Sequence, residues 1–166
     1  MCQPTFTEEI LEILMNDART SPATIAAMLD IEIATVKKEI ARLEKENIIL
    51  KYTALVNEEK IEDENTVHAL IEAKVMPQYQ HGYEAIARAI GAYPEVASCY
   101  LMSGSYDFMV LIDGESVREI ARFVAEKLSV LDGVTSTTTH FVLRKYKENH
   151  VDIPTEKEDH RQVVTP

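Results

Sequence analysis

The stretch Ile33-Ala34-Thr35-Val36-Lys37-Lys38-Glu39-Ile40-Ala41-Arg42-Leu43-Glu44-Lys45 carries residue types that can hold a polyanion. Ile33, Val36, Ile40 and Leu43 are spaced three, four and three apart, which makes one narrow apolar stripe on a helix. At roughly 100° per residue, Thr35, Lys38, Arg42 and Lys45 project away from that stripe. Small Ala34 beside them permits close approach to base edges, and the bases further along meet phosphates. A recognition helix lying in a major groove has this arrangement. A merely solvated helix also shows mixed charge on its outer face, and Glu39 and Glu46 share one flank here, with Lys37 on the other.

A second candidate is Gly104-Ser105-Tyr106-Asp107. Glycine, serine and aspartate are what any strand connection prefers. The same residues also complement a zwitterion. Asp107 can accept hydrogen bonds from an ammonium. Exposed backbone N–H groups around Gly104 and Ser105 can hold a carboxylate, because glycine allows close approach.

No catalytic arrangement is visible. His68, His81, His140, His150 and His160 are scattered, without a metalloprotease motif or a close Cys/His grouping. A metal site assembled from His68 and His140 requires the first and last strands to pair, and satisfied or exposed histidines are commoner. There is no glycine-rich phosphate loop, no singled-out acid–base pair of carboxylates, and no implied cofactor. Cys99 falls in a predicted strand and reads as core. Cys2 and Cys99 form no disulfide framework and no metal spacing.

The 166 residues suffice for one ordinary domain or two small ones. No apolar run is long enough to span a bilayer, and Met1-Cys2-Gln3-Pro4 does not open a secretory signal. A reducing cytosol is the simplest compartment, with no membrane partner. The formal net charge of -11 argues against nucleic-acid binding, since a duplex repels an acidic surface. Binding needs only a local basic face, so the placement of lysine and arginine decides.

The elements that must position these residues follow from periodicity. Residues 7–16 read as a helix capped by Thr7, with Phe6, Ile10, Ile13 and Leu14 buried. Ser21-Pro22 opens a short second helix with Ile25, Met28 and Leu29 inward. Asp30-Ile31 turns into a third helix over 33–47. Residues 48–56 read as a strand, and 57–66 as an acidic hinge or a solvated loop. Then come a strand at 67–76, a helix at 83–92, strands at 96–102 and 108–112, a helix to 128 capped by Ser116, and a long strand at 134–146. The last helix has Val117, Ile120, Ala121, Val124 and Leu128 as its stripe. The expected class is α+β: an N-terminal three-helix helix-turn-helix domain plus a C-terminal ferredoxin-like βαββαβ domain. The expected boundaries are 1–57, a linker at 58–66, 67–147, and a flexible tail at 148–166.

Residues 6–57 resemble the DNA-binding domain of the Lrp/AsnC family. The run ATVKKEIARLE, then II, then YTALVN, carries the likeness, which extends to about residue 147. The resemblance implies a second domain that forms dimers and higher oligomers and binds amino acids or related metabolites. Gly104 to Asp107 is similar to the family's G-x-x-D effector turn, and Thr137 and Thr138 resemble its other contact region. Glu32 stands where a capping serine is common, and Glu39 where a basic residue is common. Residues 1–60 carry seven Lys/Arg and eleven Asp/Glu, a local net of -4.

The expected function is a sequence-specific DNA-binding transcriptional regulator that responds to an amino acid or related metabolite. Its partners would be double-stranded DNA at a palindromic site, the small molecule, and further copies of itself as a homodimer or higher homo-oligomer. Binding is expected to be weak, salt-sensitive and dependent on pairing. The alternative is a metabolite-binding oligomeric modulator with weak or lost DNA binding. A small enzyme on a ferredoxin-like scaffold has no residue constellation behind it.

Overall fold

In a computed structural model the described residues are 5–61, 66–76 and 82–154. The chain divides into two compact units, Met1–Val56 and Asn57–Pro166.

The first unit holds α1 (Phe6–Asn16), α2 (Pro22–Leu29) and α3 (Ile33–Lys45). The cap of α1 is Thr5, not Thr7. Thr5 accepts from the Glu8 N–H while the Glu8 carboxylate takes the Thr5 N–H, so two orphan donors are satisfied together. Thr7 is thereby free to donate its hydroxyl to Glu39 of α3. Ser21 and Pro22 start α2 as expected. Asp30 ends α2 in the left-handed conformation at φ 53°, which makes the tight turn into α3. Ile10, Leu14, Ile25, Ala26, Val36 and Leu43 form the core, with Phe6, Ile40 and Ile49 packed against it. Two expected core residues lie outside it: Met28 is 60% exposed and Ile33 46% exposed. Ala26 is buried beside Ile25 instead.

The expected strand at 48–56 forms no ladder among the described residues. Asn47 is left-handed at φ 57°, and the Ile48 and Ile49 N–H groups turn back to the Leu43 carbonyl. They cap α3 rather than join a strand. The remainder is irregular and exposed, with Tyr52 donating back to Glu44 on α3.

The second unit is the expected ferredoxin-like unit. Its strands and helices are β1 (Val67–Val75), α4 (Gly82–Gly91), β2 (Val96–Leu101), β3 (Phe108–Gly114), α5 (Val117–Phe123) and β4 (Val134–Phe141). The sheet order is β2-β3-β1-β4, with every neighbouring pair antiparallel. A π-helical turn, Val124–Leu128, continues α5. Ala69, Ile71, Ala73 and Val75 alternate along β1 and meet Phe108, Val110 and Ile112 of β3 beneath Ile86, Ile90, Ile120, Phe123 and Leu128. Val117 and Ala121, expected in the stripe of α5, are exposed, and Phe123 takes their place. Cys99 packs against this core, as its strand position implied.

The final strand is shorter than expected and stops at Phe141. Beyond it, β5 (Lys147–Glu148) and β6 (Val151–Asp152) form a small hairpin, with Asn149 and His150 at positive φ. The expected flexible tail therefore begins as paired chain, and its part from 155 onward lies outside the described residues.

The expected hinge begins as a 3-10 turn, Glu58–Lys60, that is tied to the second unit. His68 sits 2.6 Å from Asp113 through Nδ1 and 2.7 Å from Glu58 through Nε2. Lys145 lies 3.2 Å from Glu58, and Arg144 2.8 Å from Glu59. His140 is two register positions from His68 along the sheet and turns to Glu72 at 3.3 Å. The two imidazoles are each committed to carboxylates, and no group of three or more His, Cys, Asp or Glu suited to a metal occurs among the described residues. No helix among them is long and apolar enough to cross a membrane.

Candidate functional site

Helix α3 is held from beneath by Val36 and Leu43, both fully buried. Thr35, Lys38, Arg42 and Lys45 are all exposed, as expected. The helix divides them into two rows. Ala34, Lys38, Ala41 and Lys45 fall at steps of four, three and four, nearly opposite the buried stripe. All four are exposed, which makes a line of small and basic residues. Ala41 belongs to the row by position and small size, without a charge to mark it in the sequence. Thr35 and Arg42 belong to the adjacent row with Glu39 and Glu46.

That second row is internally neutralised. Arg42 donates from Nε at 3.1 Å and Nη2 at 2.6 Å to the two oxygens of Glu39, and from Nη1 to Glu46. Glu39 is anchored from the other side by the Thr7 hydroxyl of α1, at 2.6 Å. The hydrogen bonds from Arg42 and then Thr7 hold the Glu39 carboxyl down at about 2, and Glu39 pushes the Arg42 guanidinium upward. Arg42 is thus exposed but occupied. Among the described residues Lys37, Lys38 and Lys45 have no such ion pair. The Thr7–Glu39 contact spans 32 positions, so no local pattern announces it.

At the other candidate, the Met102 N–H donates to the Asp107 carbonyl at 2.8 Å, which closes the β2–β3 connection. Gly104 is open: a Cβ there would meet nothing within 4 Å. The N–H groups of Gly104, Ser105 and Tyr106 donate to no acceptor among the described residues. Asp107 is already engaged. Its Oδ2 accepts the Val75 N–H at 2.8 Å, its Oδ1 accepts the Tyr83 hydroxyl at 3.2 Å, and its own N–H goes to the Ala73 carbonyl. Asp107 raises the Tyr83 pKa, and the Tyr83 ring meets Phe108 edge-on with centroids 6.0 Å apart. Two acceptor bonds leave a carboxylate further lone pairs.

Thr137 and Thr138 point to opposite sides of the sheet. Thr137 pairs with Ala73 on the helix-covered face, and its hydroxyl lies 3.2 Å from that of Ser129. Thr138 pairs with Glu72 on the uncovered face. Neighbouring strand residues cannot line one pocket wall, because side chains alternate. Thr137 and Asp107 flank the same end of β1 from either side, roughly 10 Å apart by two strand spacings. The structure puts that pair at one end of the sheet and leaves Thr138 on the other face.

The uncovered face carries Leu70, Glu72 and Lys74 of β1 beside Met109 and Leu111 of β3 and Tyr100 of β2. It is mixed apolar and polar.

Known proteins match both units. Residues 68–152 match the Lrp/AsnC ligand binding domain, and residues 5–49 a winged helix-turn-helix DNA-binding domain. YugG, an HTH-type transcriptional regulator of Bacillus subtilis, is 46% identical over 158 residues, covering 95% of both chains. Among solved structures, the transcriptional regulator NMB0573 of Neisseria meningitidis, in complex with L-Met, superposes with a TM-score of 0.69 at 21% identity, over 89% of this chain and 94% of that one. E. coli AsnC superposes with a TM-score of 0.67 at 20% identity, over 89% and 97%. A three-helix unit with a basic outward row, joined to a ligand-binding ferredoxin-like unit and matched along nearly the whole chain, places this protein in the Lrp/AsnC family of transcriptional regulators, not among enzymes.

Proposed function

We propose that this protein is a cytoplasmic, sequence-specific regulator that reads a palindromic duplex through paired copies of α3 and responds to an amino acid or related metabolite. The observation behind it is the row Ala34, Lys38, Ala41, Lys45, which is exposed and backed by a rigid apolar core. Lys38 and Lys45 supply phosphate contacts, and Thr35 with Ala34 approaches base edges from the helix N-terminus. Arg42, although exposed, makes no phosphate contact in this reading while Glu39 and Glu46 hold it.

The effector reading rests on the open backbone at Gly104, Ser105 and Tyr106, with Asp107 at the end of the same turn. Those N–H groups suit a carboxylate, and the remaining lone pairs of Asp107 suit an ammonium. The L-Met complex of the Neisseria regulator supports a free amino acid as the ligand class. Thr137 is the better second contact, and Thr138 would act from the opposite face. Leu70, Met109, Leu111 and Tyr100 on the uncovered sheet face support a homodimer or higher oligomer, because such a face gains from a second copy.

The clamped Arg42 and the acidic body favour one other reading, a metabolite-binding oligomer with weak or lost DNA affinity. DNA selection with the full-length protein separates the two. A palindromic consensus that weakens in Lys38→Ala and Lys45→Ala supports the regulator. A folded oligomer that enriches nothing at low salt supports the modulator.

A further inference from the structure

We propose that Glu39 is an internal competitor for DNA phosphate, occupying Arg42 and thereby lowering the sequence-independent part of DNA binding. This rests on the reading of α3 as the DNA-contacting helix. A phosphate binds guanidinium best as a two-oxygen acceptor on a two-donor edge. Glu39 already makes that bond to Nε and Nη2, and Glu46 takes Nη1.

An i,i+3 surface pair alone would be a weak obstacle, since two long side chains must be ordered to form it. Here the ordering is done in advance. The Glu39 side chain is only 14% exposed and is fixed by the Thr7 hydroxyl of α1. To reach a phosphate, Arg42 must abandon both carboxylates, and the freed Glu39 cannot retreat. It stays beside the incoming anion and repels it. Lys38 and Lys45, one row away, carry no such penalty.

The test is a salt titration of full-length protein on a mixed-sequence duplex, from about 50 to 200 mM salt. Each phosphate neutralised contributes about 0.9 to the log–log slope, or roughly threefold in affinity across that range. Arg42→Ala is expected to leave the slope unchanged, whereas Lys38→Ala lowers it by about 0.9 per engaged helix. Glu39→Gln is expected to steepen the slope by about 0.9 per helix and raise low-salt affinity severalfold. Thr7→Val, which loosens the anchor only, moves the same way by less.

The double variant Glu39→Gln/Arg42→Ala returns to the Arg42→Ala slope if Arg42 is what Glu39 withholds. A gain that persists in the double variant means simple removal of a repulsive charge and overturns the proposal. So does a slope that Glu39→Gln leaves unchanged, or one that Arg42→Ala reduces as much as Lys38→Ala does. Lys38-dependent binding with any of those results refutes the competitor alone. No duplex binding by wild type or Glu39→Gln at low salt refutes the DNA reading as well.

Discussion

Asp107 offers the sharpest test of how the effector turn is built. Its carboxylate joins the end of central strand β1 to the first turn of α4, through the Val75 N–H and the Tyr83 hydroxyl. Val75 is 8% exposed, so water does not readily replace the lost acceptor. A hydrogen bond to a charged group is worth about 1.5–3 kcal/mol. We therefore expect Asp107→Ala to destabilise the second unit by about 2 kcal/mol. For a unit of this size, that lowers the thermal midpoint by roughly 10 °C. Asp107→Asn keeps an oxygen for the Val75 N–H and puts an amide NH2 group towards Tyr83, whose hydroxyl can accept instead of donate, so it should cost about 1 kcal/mol or less. Scanning calorimetry of the full chain reads both, and titration calorimetry with a panel of amino acids reads binding. Asn at near-native stability with binding lost would assign the charge to the ligand's ammonium. A shift under about 2 °C for Asp107→Ala would refute the structural tie that Asp107 makes between Val75 and Tyr83. Unchanged binding in the folded Ala variant would refute the ligand role.

Two further expectations concern the separate units. Burial alone lowers the His68 pKa, but the hydrogen bonds to Asp113 and Glu58 outweigh it and the net shift is upward. A raised folded pKa means the His68 contribution is complete below about pH 6.5, the unfolded value, and is lost as pH rises through the folded one. The midpoint of the second unit should fall over that window in wild type and lose this component in His68→Gln; an NMR titration placing His68 below about 6.5 would refute it. In the first unit, Leu43→Ala removes a fully buried side chain from a small core and should cost about 2–5 kcal/mol. Heat should then melt the helices of that unit early, while the midpoint of the ferredoxin-like unit stays in place.

The two units and their order were readable from the chain because each has its own period. Stripes at helical spacing placed α1 to α3, and the change of pattern after residue 66 placed the first strand of the sheet. Local chemistry was also enough to start α2 at Ser21-Pro22 and to cap α5 at Ser116. It misplaced the cap of α1, since Thr5 and Thr7 are equally good hydroxyls and only the Glu8 bond chooses between them. It lengthened β4 and made a strand of 48–56, because β-branched composition measures fitness for a ladder, not the presence of a partner.

The character of the site was decided elsewhere. By type and spacing, Arg42 is a phosphate ligand and Asp107 an open acceptor. Tertiary contacts commit the first to Glu39, which Thr7 fixes from 32 residues away, and the second to Val75 and Tyr83. Register alone puts Thr137 and Thr138 on opposite faces. The sequence determines which groups are available, since composition and periodicity are local. Whether a charge is still unspent when a ligand arrives depends on partners far along the chain, and only folding brings those within hydrogen-bond reach.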